Sequence, residues 1–354
     1  MERIENIDKK IMESKIRWSL LTWVLWDALG VPTEMREQEF LKKKYWTINQ
    51  FLKTNENPFF SKYGFDKEGI GYFSDDTVLT FAILKSLTEI AWIDMQDIWE
   101  KQIDWYNNHP YWFGTSTKKA FEKIEQWMPI DQIINPNGGW NGMMMKQFPL
   151  AAYFAVNNVD WEVEDKTMLD ITKVSHWHPA ALVSTLVHHH LLKKLLKSWL
   201  QSGKSDSQNI DKKTLLSDLI KIAEIQESKF ENREGKKISE VLYEIYCLID
   251  HEWNLDIEDS QILEKFGWKL HIKNSGFVTT TLWIVYCLFF RDNSIKWLRD
   301  AVNFGWDTDT YASIIWNMIW ALNGEIYDKT LLDKVQNIEE LKQQTNDFIS
   351  KLLS

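Results

Sequence analysis

Two short segments place carboxylates and hydroxyls where helices should begin. Ser74-Asp75-Asp76-Thr77 directly precedes one helix-periodic apolar run, and Asp307-Thr308-Asp309-Thr310 precedes another. Ser, Asp and Thr are favoured N-caps and the helix dipole favours anions there, so capping explains one Asp in each. It does not explain the second Asp and the flanking hydroxyls in both. If the segments converge, four carboxylates repel one another unless cations neutralise them. Hard oxygen donors of this kind suit Mg²⁺, Mn²⁺ or Ca²⁺ rather than a soft metal. A third segment, Asp27-Ala28-Leu29-Gly30-Val31-Pro32-Thr33-Glu34, stops a helix at Gly-Val-Pro and leaves Glu34 in the loop. Taken alone, Glu34 reads as a solvated surface residue.

Helices must position these groups. Apolar residues recur at helical spacing over 16–28, 78–90, 180–200, 213–225, 238–249, 312–322 and 331–353. The run 277–290, FVTTTLWIVYCLFF, is shorter than the ~20 residues a membrane span needs and contains three Thr, so it reads as a buried core helix. Alternating strand patterns are scarce. Breaks fall at 54–71, 129–142, 201–211 and 227–237, with QSGKSDSQNIDKK and the charged run 232–237 as solvated loops. The expected fold is all-α. Because candidate chemistry lies at both ends of the chain, one domain over residues 10–354 is the simplest organisation.

Composition sets the class. The chain has 354 residues, 44% apolar and 26% charged, which excludes a disordered or fibrous protein. A net charge of −10 argues against nucleic-acid and anionic-membrane partners. The N-terminal MERIENIDKKIMESK lacks the apolar core of a signal peptide, and two Cys cannot build a disulfide framework. A cytoplasmic monomer is expected, with Cys247 and Cys287 in the core. In His188-His189-His190, consecutive helical side chains point apart, so the run reads as a partly exposed helix rather than a metal site. His109, His251 and His271 have no evident partners in the sequence.

The motifs together resemble the ADP-ribosylglycohydrolase family, the dinitrogenase-reductase-activating and ADP-ribosyl-acceptor hydrolases. That family carries Gly-Asp-Ala-Leu-Gly with a loop Glu, Thr-Asp-Asp-Thr, Asn-Gly-x-x-Met-Arg, His-x-His-Pro and Gly-Gly-Asp-Thr-Asp-Thr. Here these are matched in order by Trp26-Asp27-Ala28-Leu29-Gly30 with Glu34, Ser74-Asp75-Asp76-Thr77, Asn141-Gly142-Met143-Met144-Met145-Lys146, His176-Trp177-His178-Pro179 and Gly305-Trp306-Asp307-Thr308-Asp309-Thr310. The resemblance implies a compact all-α fold with two Mg²⁺ or Mn²⁺ ions held by Ser74, Asp75, Asp76, Asp307, Asp309 and Thr310. It implies catalytic roles for Glu34, Asp76 and Asp307. Asn141, Gly142, Met145, Lys146 and His176 would meet ADP-ribose, with Gly114-Thr115-Ser116 on its phosphate side. Lys146 stands where the family has Arg, which keeps the charge but loses the planar fork. The Met143–Met145 run reads as packing beside that loop. The implied reaction is hydrolysis of an N- or O-glycosidic bond between ADP-ribose and a protein or small-molecule acceptor. A catalytically impaired ADP-ribose binder and a metal-dependent phosphohydrolase are the competing readings.

One departure is systematic. Ordinary Gly usage of about 7% predicts roughly 25 glycines in a chain of this length. There are 14, against 20 Trp. Trp18, Trp26, Trp140, Trp177, Trp306 and Trp316, and with them Trp127 and Trp320, stand where the resemblance leads one to expect Gly. UGA encodes Gly in some bacterial codes and Trp in others, so misassignment of the code would produce this exchange. On that account the indoles of Trp26, Trp140, Trp177 and Trp306 should line or intrude on the metal cleft rather than fill a separate core.

Overall fold

The computed structural model describes residues 6–57, 68–108, 113–133, 135, 138–198, 211–230, 235–250, 255–265, 273–291, 299–323 and 329–354. Among these the chain is helical throughout, and its β-pairing is limited to isolated bridges at Trp140–Phe277 and Ile249–Leu255. In chain order the helices are α1 (Asn6–Gly30), α2 (Gln38–Tyr45), α3 (Asp75–Ile90), α4 (Met95–Asn108), α5 (Thr115–Glu125), α6 (Phe148–Val156), α7 (Trp161–Lys173) and α8 (Pro179–Lys197). They continue as α9 (Lys212–Glu227), α10 (Ile238–Leu248), α11 (Asp259–Leu263), α12 (Val278–Arg291), α13 (Arg299–Asn303), α14 (Thr308–Asn323), α15 (Lys329–Leu332) and α16 (Ile338–Leu352).

The core is built around α14, which is buried on every side from Thr308 to Leu322. A helix apolar all round belongs in an interior rather than at a surface. Helix α1 runs against it over most of its length. Across this seam Trp26 stacks on Trp316 with ring centroids 4.2 Å apart, and Trp316 stacks on Trp320 at 6.1 Å. The buried indole N–H groups of Trp26 and Trp320 find no acceptor, although buried Trp usually hydrogen-bonds. Helices α8 and α12 close the core on another side, and α3, α4, α6 and α16 on a third. No helix among the described residues is long and apolar enough to cross a membrane. The apolar run at 277–290 is a core helix, as its length and threonines suggest.

Four expectations are corrected. The pattern over 331–353 forms two helices rather than one, because Asn337 takes a left-handed conformation (φ 55°) and breaks the backbone between α15 and α16. Cys247 is exposed, and only Cys287 is in the core. The His188–His190 run is more buried than expected, with only His190 partly exposed. His188 and His189 are fully buried on α8, and each histidine meets a different neighbour. His188 reaches the Tyr286 hydroxyl at 3.4 Å, His189 Nε2 pairs with Glu164 at 2.5 Å, and His190 Nε2 pairs with Asp165 at 2.7 Å. Three directions serve three partners, so the divergence that forbids a metal site permits three separate contacts, two of them buried and the His190 one part-buried. The fourth correction concerns the indoles. Trp26, Trp316 and Trp320 fill the α1–α14 seam, Trp18 packs against the core, Trp127 is exposed, and Trp177 lies under the Lys173 ammonium. Of the eight, Trp140 alone lines the cleft described below. Histidines 109, 251 and 271, residues 201–210 and residues 232–234 lie outside the described residues.

Candidate active site

Three helix ends meet. Helix α1 finishes at Gly30, whose carbonyl accepts hydrogen bonds from Thr33 Oγ1 and Thr308 Oγ1, each at 3.0 Å. A Cβ on Gly30 would lie 2.4 Å from the Asp309 Cα, closer than any real contact. The missing side chain is therefore what lets α1 touch the first turn of α14. Asp27, one turn earlier, is fully buried and serves the start of α3. Its carboxylate accepts the Ser74 N–H (2.9 Å), the Thr77 N–H (3.1 Å) and the Thr77 hydroxyl (2.5 Å). Ser74 caps the same helix by accepting the Asp76 N–H at 3.1 Å. The turn after α1 carries Glu34 inward, where it is buried and accepts from Asn57 Nδ2 at 3.3 Å.

Asp75, Asp76, Asp307 and Asp309 thus line one cavity of about 320 Å³, although some 230 residues separate the pairs. Carboxylate oxygens of Glu34, Asp307 and Asp309 lie within 4.8 Å of one another. Asp76 Oδ2 and Asp309 Oδ1 are buried and accept no hydrogen bond. Burial pushes every acid here upward, and repulsion adds to it at Glu34, Asp75, Asp76 and Asp309: Glu34 to about 8, Asp75 to about 7, Asp27 and Asp307 to about 6, and Asp76 and Asp309 well above the usual carboxylate range. Burial is the largest cause for each. Glu34 is raised further by Asp307 and Asp75, and Asp76 by Asp27 and Asp75. Orphaned buried oxygens in an all-oxygen, anionic cluster are what hard divalent cations satisfy, so the residues present fit a Mg²⁺ or Mn²⁺ centre. Glu34, expected beside the metals, belongs to the tightest triple, from which Asp75 and Asp76 are absent.

The cavity extends from this acidic floor. On one side, Gly114, Thr115 and Ser116 form the start of α5, where Gly114 N–H donates to Asp75 Oδ2 at 3.3 Å. No side chain caps that helix at Gly114. Opposite lie Asn141, Gly142, Met145 and His176. Asn141 Nδ2 is engaged with Asp307 at 2.7 Å and with the Thr281 hydroxyl at 3.0 Å. Gly142 fits because a Cβ there would stand 2.8 Å from the His176 ring. Burial drives His176 down to about 3, so it is neutral, and its Nδ1 meets the Ser175 hydroxyl at 2.7 Å. Two expected ligands stand elsewhere. Ser74 is not among the cavity-lining residues, and its hydroxyl accepts the Asp76 N–H as the helix cap. Lys146 is wholly buried behind the cavity, its ammonium 2.7 Å from Gln102 Oε1 and 4.9 Å from the Trp99 ring. Burial lowers Lys146 to about 7, against the pull of Asp75 and Asp76.

A sequence model of the ADP-ribosylglycohydrolase family matches residues 8–352. The chain belongs to the ADP-ribosylglycohydrolase family. The "Putative ADP-ribosyl glycohydrolase L543" of Acanthamoeba polyphaga mimivirus is 22% identical over 349 residues, covering 95% of each chain. The "Uncharacterized protein YegU" of Escherichia coli (strain K12) is 26% identical over 162 residues, 43% of this chain and 45% of that protein. A solved structure titled "ADP-ribosylglycohydrolase-related protein complex" superposes with a TM-score of 0.64 at 18% identity, covering 97% of this chain and 99% of that one. It shares the fold. Membership in the ADP-ribosylglycohydrolase family supports a glycohydrolase-type enzyme.

Sequence reasoning missed several residues that this family member uses to shape its cleft. Met35, Thr117, Ser275 and Gly276 also line the cavity. The Gly276 carbonyl accepts the Asn141 N–H at 3.1 Å, and the Ser275 carbonyl accepts the Tyr311 hydroxyl at 2.6 Å. Ser-Gly just before a long apolar helix was the available signal. Asn57 carried none, since it lies in an irregular loop and its side chain works through distant partners, donating to the Val31 carbonyl at 2.6 Å and to Glu34 at 3.3 Å.

Proposed function

We propose that the protein is a metal-dependent hydrolase that cleaves the N- or O-glycosidic bond joining ADP-ribose to a protein side chain or small-molecule acceptor. The observation that carries the proposal is the triple of Glu34, Asp307 and Asp309, beside the orphaned oxygens of Asp76 and Asp309, on the floor of a cavity of ligand size. Asp75, Asp76, Asp307, Asp309 and Thr310 would hold two Mg²⁺ or Mn²⁺ ions, with Glu34 at their edge. When bound, the ions supply positive charge that orients the distal ribose hydroxyls and keeps the surrounding carboxylates ionised.

The chain's own residues do the rest. The α5 N-terminus, with its free first-turn N–H groups and the Thr115 and Ser116 hydroxyls, receives the diphosphate. Asn141, Gly142, Met145 and neutral His176 pack the ribose without adding charge. Glu34 is held by Asn57, takes a proton from the water that attacks C1″, and passes it to the departing acceptor atom, which keeps the electron pair of the broken bond. Asp76 and Asp307 face the positive charge that develops on the ribose as the bond to the acceptor breaks. Residues 10–354 act as one catalytic domain in this reading.

The test is product analysis with Mg²⁺ or Mn²⁺ on ADP-ribosylated arginine and serine substrates. Free ADP-ribose is the expected product. Release of AMP or phosphate would identify a phosphohydrolase, and saturable ADP-ribose binding without turnover would identify a binding protein. Either outcome overturns the proposal.

A further inference from the structure

Six non-glycine residues among those described have positive φ: Met35, Trp46, Ala91, Trp127, Trp306 and Asn337. Half are tryptophan, a type that supplies 20 of 354 residues. A bulky side chain in this region is a genuine outlier, because its Cβ crowds the following carbonyl.

In each case the backbone around the tryptophan demands the conformation. Helix α5 ends with Met128 N–H donating to the Lys123 carbonyl (3.1 Å) and Trp127 N–H to the Ile124 carbonyl (2.9 Å). That bond pair is the Schellman motif, with residue 127 at the left-handed position where glycine predominates. Helix α2 ends with Trp46 N–H donating to the Lys42 carbonyl at 3.0 Å, and Trp46 (φ 61°, ψ −61°) then turns so tightly that Thr47 N–H donates to the Tyr45 carbonyl at 2.6 Å, the rare and strained positive-φ γ-turn. Neither indole packs on anything that offsets the strain. Trp127 is 92% exposed and Trp46 is 86% exposed.

Residue 306 is the functional case. It follows Gly305, which has φ +95° and no room for a Cβ, since one there would stand 2.7 Å from the Gln38 nitrogen. Its N–H donates to the Arg36 carbonyl at 2.7 Å, and its carbonyl accepts from Met35 N–H at 2.6 Å. The residue is thereby clamped to the chain just past Glu34, with φ +67° and Asp307 next in line. Two consecutive left-handed residues set where Asp307 and Asp309 stand relative to Glu34.

We propose that positions 46, 127 and 306 are glycine in the functional protein, their codons being UGA read as Gly in the source organism. Position 306 is then a positioning residue that sets the Glu34–Asp307–Asp309 spacing. Only this last clause rests on the functional reading above. Recoding at these three positions accounts for part of the Gly deficit and of the Trp surplus.

The coding DNA at the three positions, and peptide mass spectrometry of the protein isolated from its source, decide the residues directly. UGA codons with glycine-containing peptides are expected. UGG codons, or tryptophan in those peptides, would overturn the proposal. Recombinant variants test the conformational argument. Trp46→Gly and Trp127→Gly should each raise Tm, whereas Trp46→Ala and Trp127→Ala should not, since Ala keeps the offending Cβ. Equal gains from Ala and Gly would refute it. For position 306, Mn²⁺ titration calorimetry without substrate should show tighter binding for Trp306→Gly, on the order of tenfold if one left-handed penalty is relieved, and no gain for Trp306→Ala. If the DNA shows UGA and the Tm gains appear, yet no form binds Mn²⁺, the metal reading fails and the recoding stands.

Discussion

Replacing Asp27 by Ala tests how the acidic cluster is held. Its carboxylate is the acceptor for three buried donors at the start of α3: the Ser74 N–H, the Thr77 N–H and the Thr77 hydroxyl. The Ala variant leaves all three without a partner. Unsatisfied buried donors cost ~1–3 kcal/mol each, so the low end of that range gives a loss of about 3 kcal/mol in unfolding free energy. An opposing contribution exists, because Asp27 raises the pKa of Asp76 and Glu34 and its removal relieves that repulsion. Asp27→Asn separates the two effects. It removes the charge as Ala does but keeps one acceptor oxygen, so it should lose less stability than Ala. Urea unfolding measures the loss. Mn²⁺ titration of the folded variants measures the consequence, which should be weaker binding in Ala than in Asn as Asp75 and Asp76 shift with the helix end. A loss below about 0.5 kcal/mol for Ala, the scale of a surface change, would refute the role assigned to this carboxylate.

Other outcomes follow from the same geometry. Mg²⁺ or Mn²⁺ should raise Tm through linkage, and Asp307→Asn combined with Asp309→Asn should abolish the rise, as differential scanning calorimetry would show. Without metal, the native acids bind protons that the unfolded chain has released between about pH 4 and 8, the upper end set by Glu34 at about 8. Stability of the metal-free protein should therefore fall as pH rises across that window, and the metal-induced gain in Tm should grow; a flat profile in EDTA would contradict the cluster electrostatics. Gly30→Ala should force α1 off α14, costing ~1–3 kcal/mol as overpacked sites do, and should weaken Mn²⁺ binding more than Asn57→Ala does, since it displaces backbone. Glu164→Gln should destabilise the protein in urea without altering Mn²⁺ affinity. Glu164 pairs with His189 and Lys193 on the α7–α8 face, and Gln would leave the Lys193 ammonium without its counter-charge.

The parts legible in the sequence were those with local chemistry. Helix existence followed from periodicity, and the starts of α3 and α14 followed from hydroxyl and carboxylate caps, which act within one turn. Gly30-Val31-Pro32 marked a helix stop for the same reason. What stayed hidden depends on partners distant in the chain. Lys146 sits within a motif yet faces Gln102 and Trp99 from another helix, and its sequence neighbours do not reveal that side of the backbone. Lys15, in a charged N-terminal stretch, is buried and caps the end of α8 through the Leu195 and Leu196 carbonyls at 2.9 and 3.2 Å. The buried histidines on α8 were misread because periodicity gives direction but not what waits there. Backbone conformation was the least legible of all. Composition shows that glycine is scarce, but only φ shows which tryptophans occupy positions where a Cβ is penalised. Trp26 and Trp316 stack in regular helices, so φ gives no reason to replace them. Trp46, Trp127 and Trp306 share a left-handed backbone fixed by main-chain hydrogen bonds, and it is this shared geometry, rather than nearness to the cleft, that sets them apart.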